Sequence, residues 1–95
     1  MHLRLIAYSA IMNARHVRTL GAIFRQPTSA SIDWSSIEAL FVSVGCTLVE
    51  GNGSRVRFVK NDMIETFHRP HPAKEAKRYQ VRAAKDYLIR LGVEP

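Results

Sequence analysis

The sequence predicts an α+β domain, in which a small three-stranded antiparallel sheet carries helices packed on one face. Residues 54–68 alternate apolar and polar side chains on both sides of a two-residue turn, which indicates a β-hairpin. Residues 14–24, 34–44 and 73–91 instead repeat their apolar side chains at helical spacing. The predicted order is helix, helix, three strands and helix. Because helices and strands do not alternate strictly, a layered α+β arrangement is favoured over a parallel sheet.

The first predicted helix begins after Asn13, because asparagine is a favourable N-cap residue. Val17, Leu20 and Phe24 recur at helical spacing and form its predicted apolar stripe. Pro27 ends this segment, since proline lacks the N–H group that a helix interior needs.

The second predicted helix runs from Trp34 to Val44 and has the clearest amphipathic pattern in the chain. Asp33 precedes it as an N-cap, and Gly45 supplies the C-terminal stop. Its buried stripe is predicted to consist of Ile37, Leu40, Phe41 and Val44.

Three strands are predicted after this helix. Cys46 to Glu50 forms the first, and Gly51-Asn52-Gly53 forms a turn. Ser54 to Lys60 and Met63 to His68 form the hairpin, joined by Asn61-Asp62, two residue types that tolerate left-handed backbone angles.

A two-residue turn fixes the register of this hairpin. Arg55 then lies opposite His68, and Arg57 lies opposite Thr66 on the same face, since side chains alternate with period two. Val59 and Ile64 continue that face. The opposite face, which we expect to be buried, carries Val56, Phe58 and Phe67.

The last predicted helix follows Pro72 and continues to Leu91, where Gly92 ends it. Val81, Ala84 and Leu88 form its buried stripe together with Leu91.

Length and composition limit the chain to one small domain with a single core. Residues 1–13 fit none of the patterns above, so we expect an N-terminal extension over 1–13 and one domain over 14–95. Cys46 is the only cysteine, which excludes an internal disulfide and fits a reducing compartment. No segment approaches the length of a membrane-spanning helix, so we expect no membrane partner. The apolar run from Leu5 to Met12 is short and lacks a convincing cleavage site for a signal peptide, which together with the single cysteine leads us to expect a cytoplasmic protein.

The net charge of +6 raises the expectation of a polyanionic partner, with nucleic acid as the default, but charge alone does not decide between such a partner and a basic surface that is merely solvated. Positions 74, 78, 82 and 85 carry cations spaced four, four and three residues apart, which places them on one helical stripe. The N-terminal end of this stripe directly follows His71-Pro72, so the helix N-terminus, the cations and both histidines are predicted to converge on one phosphate. The residues assigned to RNA binding are Arg57, Lys60, Arg69, Lys74, Lys77, Arg78, Arg82 and Lys85.

His68 and His71 allow three interpretations: ordinary loop histidines, metal ligands, or the acid and base of a ribonuclease. Metal binding is disfavoured, because no third ligand is placed near the pair, and no cofactor is predicted. Cleavage of RNA by its own 2′-hydroxyl needs a base near neutrality, an acid for the leaving oxygen and cations around the phosphorus. In that interpretation His68 is the base, Arg55 stabilises charge, and His71 is the acid or a phosphate contact.

Four segments carry a resemblance to a known family, and they extend over residues 34–92. They are the helix ending at Gly45 and the sequences GNGSRVRF, HRPHPAKE and KRYQVRAAKDYLIRLG. Together they resemble the HicA family of toxins from bacterial type II toxin-antitoxin pairs. The resemblance implies a fold like the double-stranded-RNA-binding domain, here with an extra N-terminal helix. It also implies metal-independent mRNA cleavage, as an mRNA interferase, and a HicB-like antitoxin that covers the site, with any oligomer formed through that complex.

One position departs from the family pattern. The usual catalytic histidine directly follows Gly-Ser, but Arg55 stands there, and an arginine stays protonated and cannot act as an ordinary base. Either His68 supplies the base, or the chain is an inactive or differently acting relative. His71 matches the family's histidine before Pro-x-Lys-Glu.

Two further hypotheses stand beside the nuclease. The first is a non-catalytic RNA-binding module that holds RNA as a double-stranded-RNA-binding domain does. The second is a protein-interaction domain that docks a partner on the hairpin face bearing Val59 and Ile64.

Overall fold

The computed structural model describes residues 12–95, so the predicted extension over 1–13 falls almost wholly outside the described residues. Three helices and three strands follow one another in the predicted α+β order. They are α1 (Ala14–Phe24), α2 (Trp34–Ser43), β1 (Thr47–Glu50), β2 (Arg55–Lys60), β3 (Met63–His68) and α3 (Arg78–Arg90).

Helix α1 begins where the sequence predicts, because the Asn13 side chain accepts a hydrogen bond of 2.9 Å from the His16 backbone N–H. Leu20 and Ile23 are buried, but Val17 is 44% exposed, so only part of the predicted apolar stripe faces the core. The helix buries the arc that includes Thr19 and Ile23, and Val17 lies outside this arc.

Helix α2 supplies the centre of the core. Ile37, Leu40 and Phe41 are completely buried, as the periodicity predicts. Gly45 follows the helix at φ 103°, a left-handed angle that favours glycine. Asp33 occupies the predicted N-cap position, but its side chain makes no capping hydrogen bond.

The sheet is an antiparallel meander in the order β1-β2-β3. Asn61 and Asp62 adopt φ angles of 51° and 66°, which is the geometry of a tight two-residue hairpin turn. The predicted register is confirmed, since Arg55 pairs with His68 and Arg57 pairs with Thr66. One face of the sheet is therefore buried against the helices and the other is exposed.

An aromatic cluster joins the buried face of the sheet to α2 and α3. The Phe41 ring centroid lies 4.7 Å from that of Phe58 and 5.4 Å from that of Tyr87. The Tyr87 hydroxyl oxygen lies 3.1 Å from the carbonyl oxygen of Phe58 and 3.0 Å from that of Met63. Burial raises the pKa of Tyr87, so its hydroxyl remains a neutral donor that anchors α3 at the hairpin turn.

Helix α3 begins at Arg78, so the prediction of a helix starting after Pro72 was wrong. The intervening residues pair with the linker between α1 and α2 instead. The Trp34 N–H donates to the Lys74 carbonyl at 2.9 Å, and the Ala76 N–H donates to the Ile32 carbonyl at 2.8 Å. These long-range bonds hold the connector in extended form. The predicted stripe of α3 is buried, at Val81, Ala84, Leu88 and Leu91.

Among residues 12–95, no helix combines the length and apolar character needed to cross a membrane.

Candidate functional site

The candidate site lies on the exposed face of the sheet, near the end of the hairpin that is remote from its turn. Arg55 on β2 is paired directly with His68 on β3, so both side chains leave the same face. Both residues are exposed. Arg57 and Thr66 form the next pair on this face and are also exposed. The hairpin register thus pairs Arg55 with His68 on one face, as the sequence predicted.

The backbone of His68 is held from the helical side. Gln80, which is 2% exposed, donates from Nε2 to the His68 carbonyl at 2.6 Å. The same amide accepts a hydrogen bond from the Lys77 N–H through Oε1 at 2.9 Å. One buried side chain therefore caps α3 and fixes the end of β3 beside it.

The imidazole of His68 has a close polar neighbour. Its Nδ1 lies 3.4 Å from the Ser54 hydroxyl oxygen. The Ser54 carbonyl in turn accepts a hydrogen bond of 2.9 Å from the Arg69 N–H, which extends the hairpin pairing beyond its last ladder residues. His68 is consequently contacted through its main chain by α3 and through its ring by the residue that precedes β2.

A depression of about 510 Å³ borders this face. It is lined by Glu50, Gly51, Asn52, Arg55, Arg57 and Thr66. Gly51 cannot carry a larger side chain here without a shift, since an added Cβ would lie 3.2 Å from the Arg55 carbonyl oxygen and from its Cβ. Gly51 and Arg55 thus lie close together, and both line the depression.

Arg55 and Arg57 form no ion pair or hydrogen bond through their side chains with any other residue in the range 12–95. Two guanidinium groups on neighbouring positions of one face thus remain available to an external anion. Lys60, the third predicted cation of β2, donates to the Val44 carbonyl at the end of α2.

Arg69 is half-buried and forms ion pairs with two carboxylates of the same chain. Its guanidinium donates to Glu38 at 2.6 Å and to Glu50 at 2.7 Å. The hydrogen bond from Arg69 lowers the pKa of Glu50. Trp34 also donates to Glu38 through its indole N–H. This network joins α2, β1 and the end of the hairpin, so the predicted RNA contact at Arg69 has an internal structural role.

His71 lies beyond β3, at a bend of the connector to α3, and it is exposed. Its side chain contacts no other described residue through a hydrogen bond or an ion pair. No group of three or more potential metal ligands occurs among residues 12–95.

The predicted cationic stripe does not meet the histidines at a helix N-terminus, because α3 begins only at Arg78. Arg78 donates to the Thr28 carbonyl at 3.3 Å, and the Lys85 amine lies 5.6 Å from the centroid of the Phe24 ring. These contacts place the stripe against α1 and its linker, on the helical side of the sheet. The other cations of this region, Lys74, Lys77 and Arg82, are exposed.

Gln80 and Ser54 were absent from the candidate residues that the sequence suggested. Gln80 had a detectable signal, because glutamine at the third position of a helix is a common capping residue. For Ser54 the signal was its place in the Gly-Ser pair of the family pattern, but its contact with His68 depends on the pairing of two strands.

The fold and the site together define a small basic α+β domain. Its open sheet face carries an exposed histidine and two arginines whose side chains pair with no residue of the part of the chain that the structure describes. A search of curated proteins and a search of solved structures each find no match. The family model of the HicA toxin of bacterial toxin-antitoxin systems matches residues 34–93, which is more than half of the chain. The chain therefore belongs to the HicA toxin family. Helix α1 lies outside the matched residues.

Proposed function

We propose that this protein is the toxin of a type II toxin-antitoxin pair and acts as a metal-independent endoribonuclease on mRNA. The observation that carries the proposal is the pairing of Arg55 with His68 on the exposed sheet face. Family membership supports the toxin class. The residues support the chemistry, because an imidazole and a guanidinium meet the demands of RNA transesterification.

In the proposed reaction, His68 removes the proton from a 2′-hydroxyl. The 2′-oxygen then attacks the adjacent phosphorus, and the bond from phosphorus to the 5′-oxygen breaks. The leaving 5′-oxygen takes a proton from His71 or from water, so the products are a 2′,3′-cyclic phosphate and a 5′-hydroxyl. Arg55 stabilises the negative charge that develops on the phosphoryl oxygens.

The depression beside Arg55 and Arg57 is the proposed path of the RNA strand. Both guanidiniums are unpaired among the described residues, and Thr66 adds a hydroxyl on the same face. The remaining exposed cations contribute through the general positive field of the molecule, which increases the rate of encounter with RNA.

We propose a HicB-like antitoxin as the protein partner. An antitoxin that covers the exposed sheet face would block the site directly, and any larger assembly would form through this complex. A cytoplasmic location belongs to the same proposal, since mRNA is the substrate.

The test is incubation of the purified chain with single-stranded RNA in the presence of EDTA. We expect cleavage that yields cyclic phosphate ends, and we expect His68→Ala to abolish it. Thr47→Ala is the matched control, because Thr47 lies on the same sheet face at the far end and pairs with Val59. In cells, expression of the chain is expected to arrest growth, and His68→Ala to relieve the arrest.

A non-catalytic RNA-binding function is the second candidate. It is favoured by Arg55, which stands where the family pattern has its catalytic histidine. Salt-sensitive binding of RNA that stays intact would support this candidate and contradict the nuclease. Dependence on a protein partner without any affinity for RNA would contradict both and support a protein-interaction domain.

A further inference from the structure

We propose that Ser54 is a positioning residue that fixes the ring of His68, accepting a hydrogen bond from Nδ1–H and leaving the lone pair of Nε2 free to act as the base. The proposal deepens the nuclease function and rests on it for its biological meaning. The proposal predicts which nitrogen of the His68 ring carries the proton, and this can be measured without any RNA.

Ser54 contacts the imidazole ring of His68. The Ser54 hydroxyl oxygen lies 3.4 Å from Nδ1 of His68, and it is the polar side-chain atom that the structure places against this ring. A neutral imidazole carries one N–H, and the hydrogen bond made by one nitrogen determines which nitrogen carries it. A hydrogen-bond acceptor at Nδ1 therefore keeps the proton on Nδ1 and leaves the lone pair of Nε2 free.

Hydrogen bonds fix the main chain around Ser54. The loop before it is closed by two backbone bonds, from the Gly51 N–H to the Arg55 carbonyl at 2.9 Å and from the Arg55 N–H to the Asn52 carbonyl at 3.1 Å. Gly53 provides a left-handed angle of 61° within this loop. The Ser54 carbonyl is itself bonded to the Arg69 N–H. The hydroxyl is thus carried on a main chain fixed on both sides.

The main chain of His68 is also fixed. His68 is paired with Arg55 across the two strands, and its carbonyl accepts a hydrogen bond of 2.6 Å from the buried Gln80 side chain. Because both main chains are fixed, the backbone entropy cost of bringing the hydroxyl and Nδ1 together is already met by the fold, and only the two side-chain rotamers remain to be ordered. Arg55 on the neighbouring strand cannot replace Ser54 here, because a guanidinium only donates and would compete for a ring lone pair.

The test is long-range ¹H–¹⁵N NMR of the histidine side chains in the full chain, at mildly alkaline pH where a free imidazole is neutral. The signals of His68 are assigned by their loss in His68→Gln. In the unmodified protein we expect the proton on Nδ1. In Ser54→Ala we expect it to move largely to Nε2, and in Ser54→Thr to remain on Nδ1. Ser35→Ala, which removes an exposed hydroxyl on α2, is the control and should change nothing.

Cleavage kinetics give a second readout. We expect Ser54→Ala to lower kcat by about 5- to 10-fold, the rate equivalent of one neutral hydrogen bond, with KM unchanged and with rescue by Ser54→Thr. A structural role alone would lower stability without this separation of kcat from KM.

The two proposals fail in different ways. An Nδ1–H ring that depends on Ser54, in a chain that does not cleave RNA, would support the positioning role and contradict the nuclease. A ring whose protonated nitrogen is the same in the unmodified chain and in Ser54→Ala would overturn the positioning role, whether or not RNA is cleaved. If Ser54→Ala fails to fold, Ser54→Cys supplies the test, because a thiol is a weaker acceptor of similar shape and should move the proton in part.

Discussion

At the scale of single residues, Arg69 shows how a cation that looks like a ligand contact can hold the fold together. Its guanidinium bonds Glu38 on α2 and Glu50 on β1, while its own N–H pairs with Ser54. Glu38 is the less exposed of the two carboxylates, with 18% of its side chain accessible. Removal of the guanidinium leaves this carboxylate without its cation, which is more costly than loss of a surface pair.

We therefore predict that Arg69→Met lowers the free energy of unfolding by about 2 kcal/mol at neutral pH, measured by urea denaturation. Arg57→Met is the matched control, and its effect should stay within about 0.5 kcal/mol because Arg57 is exposed and its side chain pairs with no described residue. Equal losses in the two variants would contradict the structural role of Arg69.

The same prediction has a pH dependence. Arg69 lowers the pKa of Glu50 in the folded chain below its ordinary value of 4.5. The stabilisation linked to this shift is fully present above pH 4.5 and is lost as the pH falls towards the folded-state pKa. The stability difference between the unmodified chain and Arg69→Met should shrink over that acid range. A difference that stays constant down to pH 3 would show that Glu50 gains nothing from Arg69.

At the scale of elements, the hairpin was predictable because its information is local. Alternation of side chains and a turn of Asn61-Asp62 fix the register, and the register alone places Arg55 beside His68. The start of α3 was not predictable from its own sequence. Residues 74–76 would continue a helical pattern, but their backbone pairs with residues 32–34, and no local pattern encodes that partner.

The hairpin turn also yields a prediction. Asp62 has a φ angle of 66° and is exposed, so a β-branched residue there would be strained without any lost contact. We expect Asp62→Val to lower the free energy of unfolding by about 1–2 kcal/mol. Asp62→Gly removes the same carboxylate but accepts the left-handed angle, so it should be neutral or stabilising in the same denaturation experiment. A loss of similar size in both variants would assign the effect to the carboxylate.

At the scale of the whole molecule, the sequence correctly indicated a basic domain. It did not indicate how the cations are distributed between the two faces of the sheet. Net charge and helical spacing carry no information on which side of the sheet a helix lies. In the folded chain, α3 packs on the buried face through Val81, Ala84 and Leu88. Its exposed Arg82 consequently shares no face with Arg57 on the open side of the sheet. Similarly, the partners of Arg69 are distant in sequence, so only the fold could reveal that this cation is engaged.

This division predicts which surface contacts RNA. For single-stranded RNA, the logarithm of the binding constant falls with the logarithm of salt concentration by about 0.7 for each phosphate contact. In a His68→Ala background that keeps RNA intact, we expect Arg57→Gln to reduce this slope by about 0.7. Arg82→Gln removes an equal charge from the helical side, so it should lower affinity slightly and change the slope much less than Arg57→Gln does. The measurement is fluorescence anisotropy of labelled RNA across a salt series. A reduced slope for Arg82→Gln together with an unchanged slope for Arg57→Gln would contradict this prediction. It would place the RNA contacts on α3, on the opposite side of the sheet from His68.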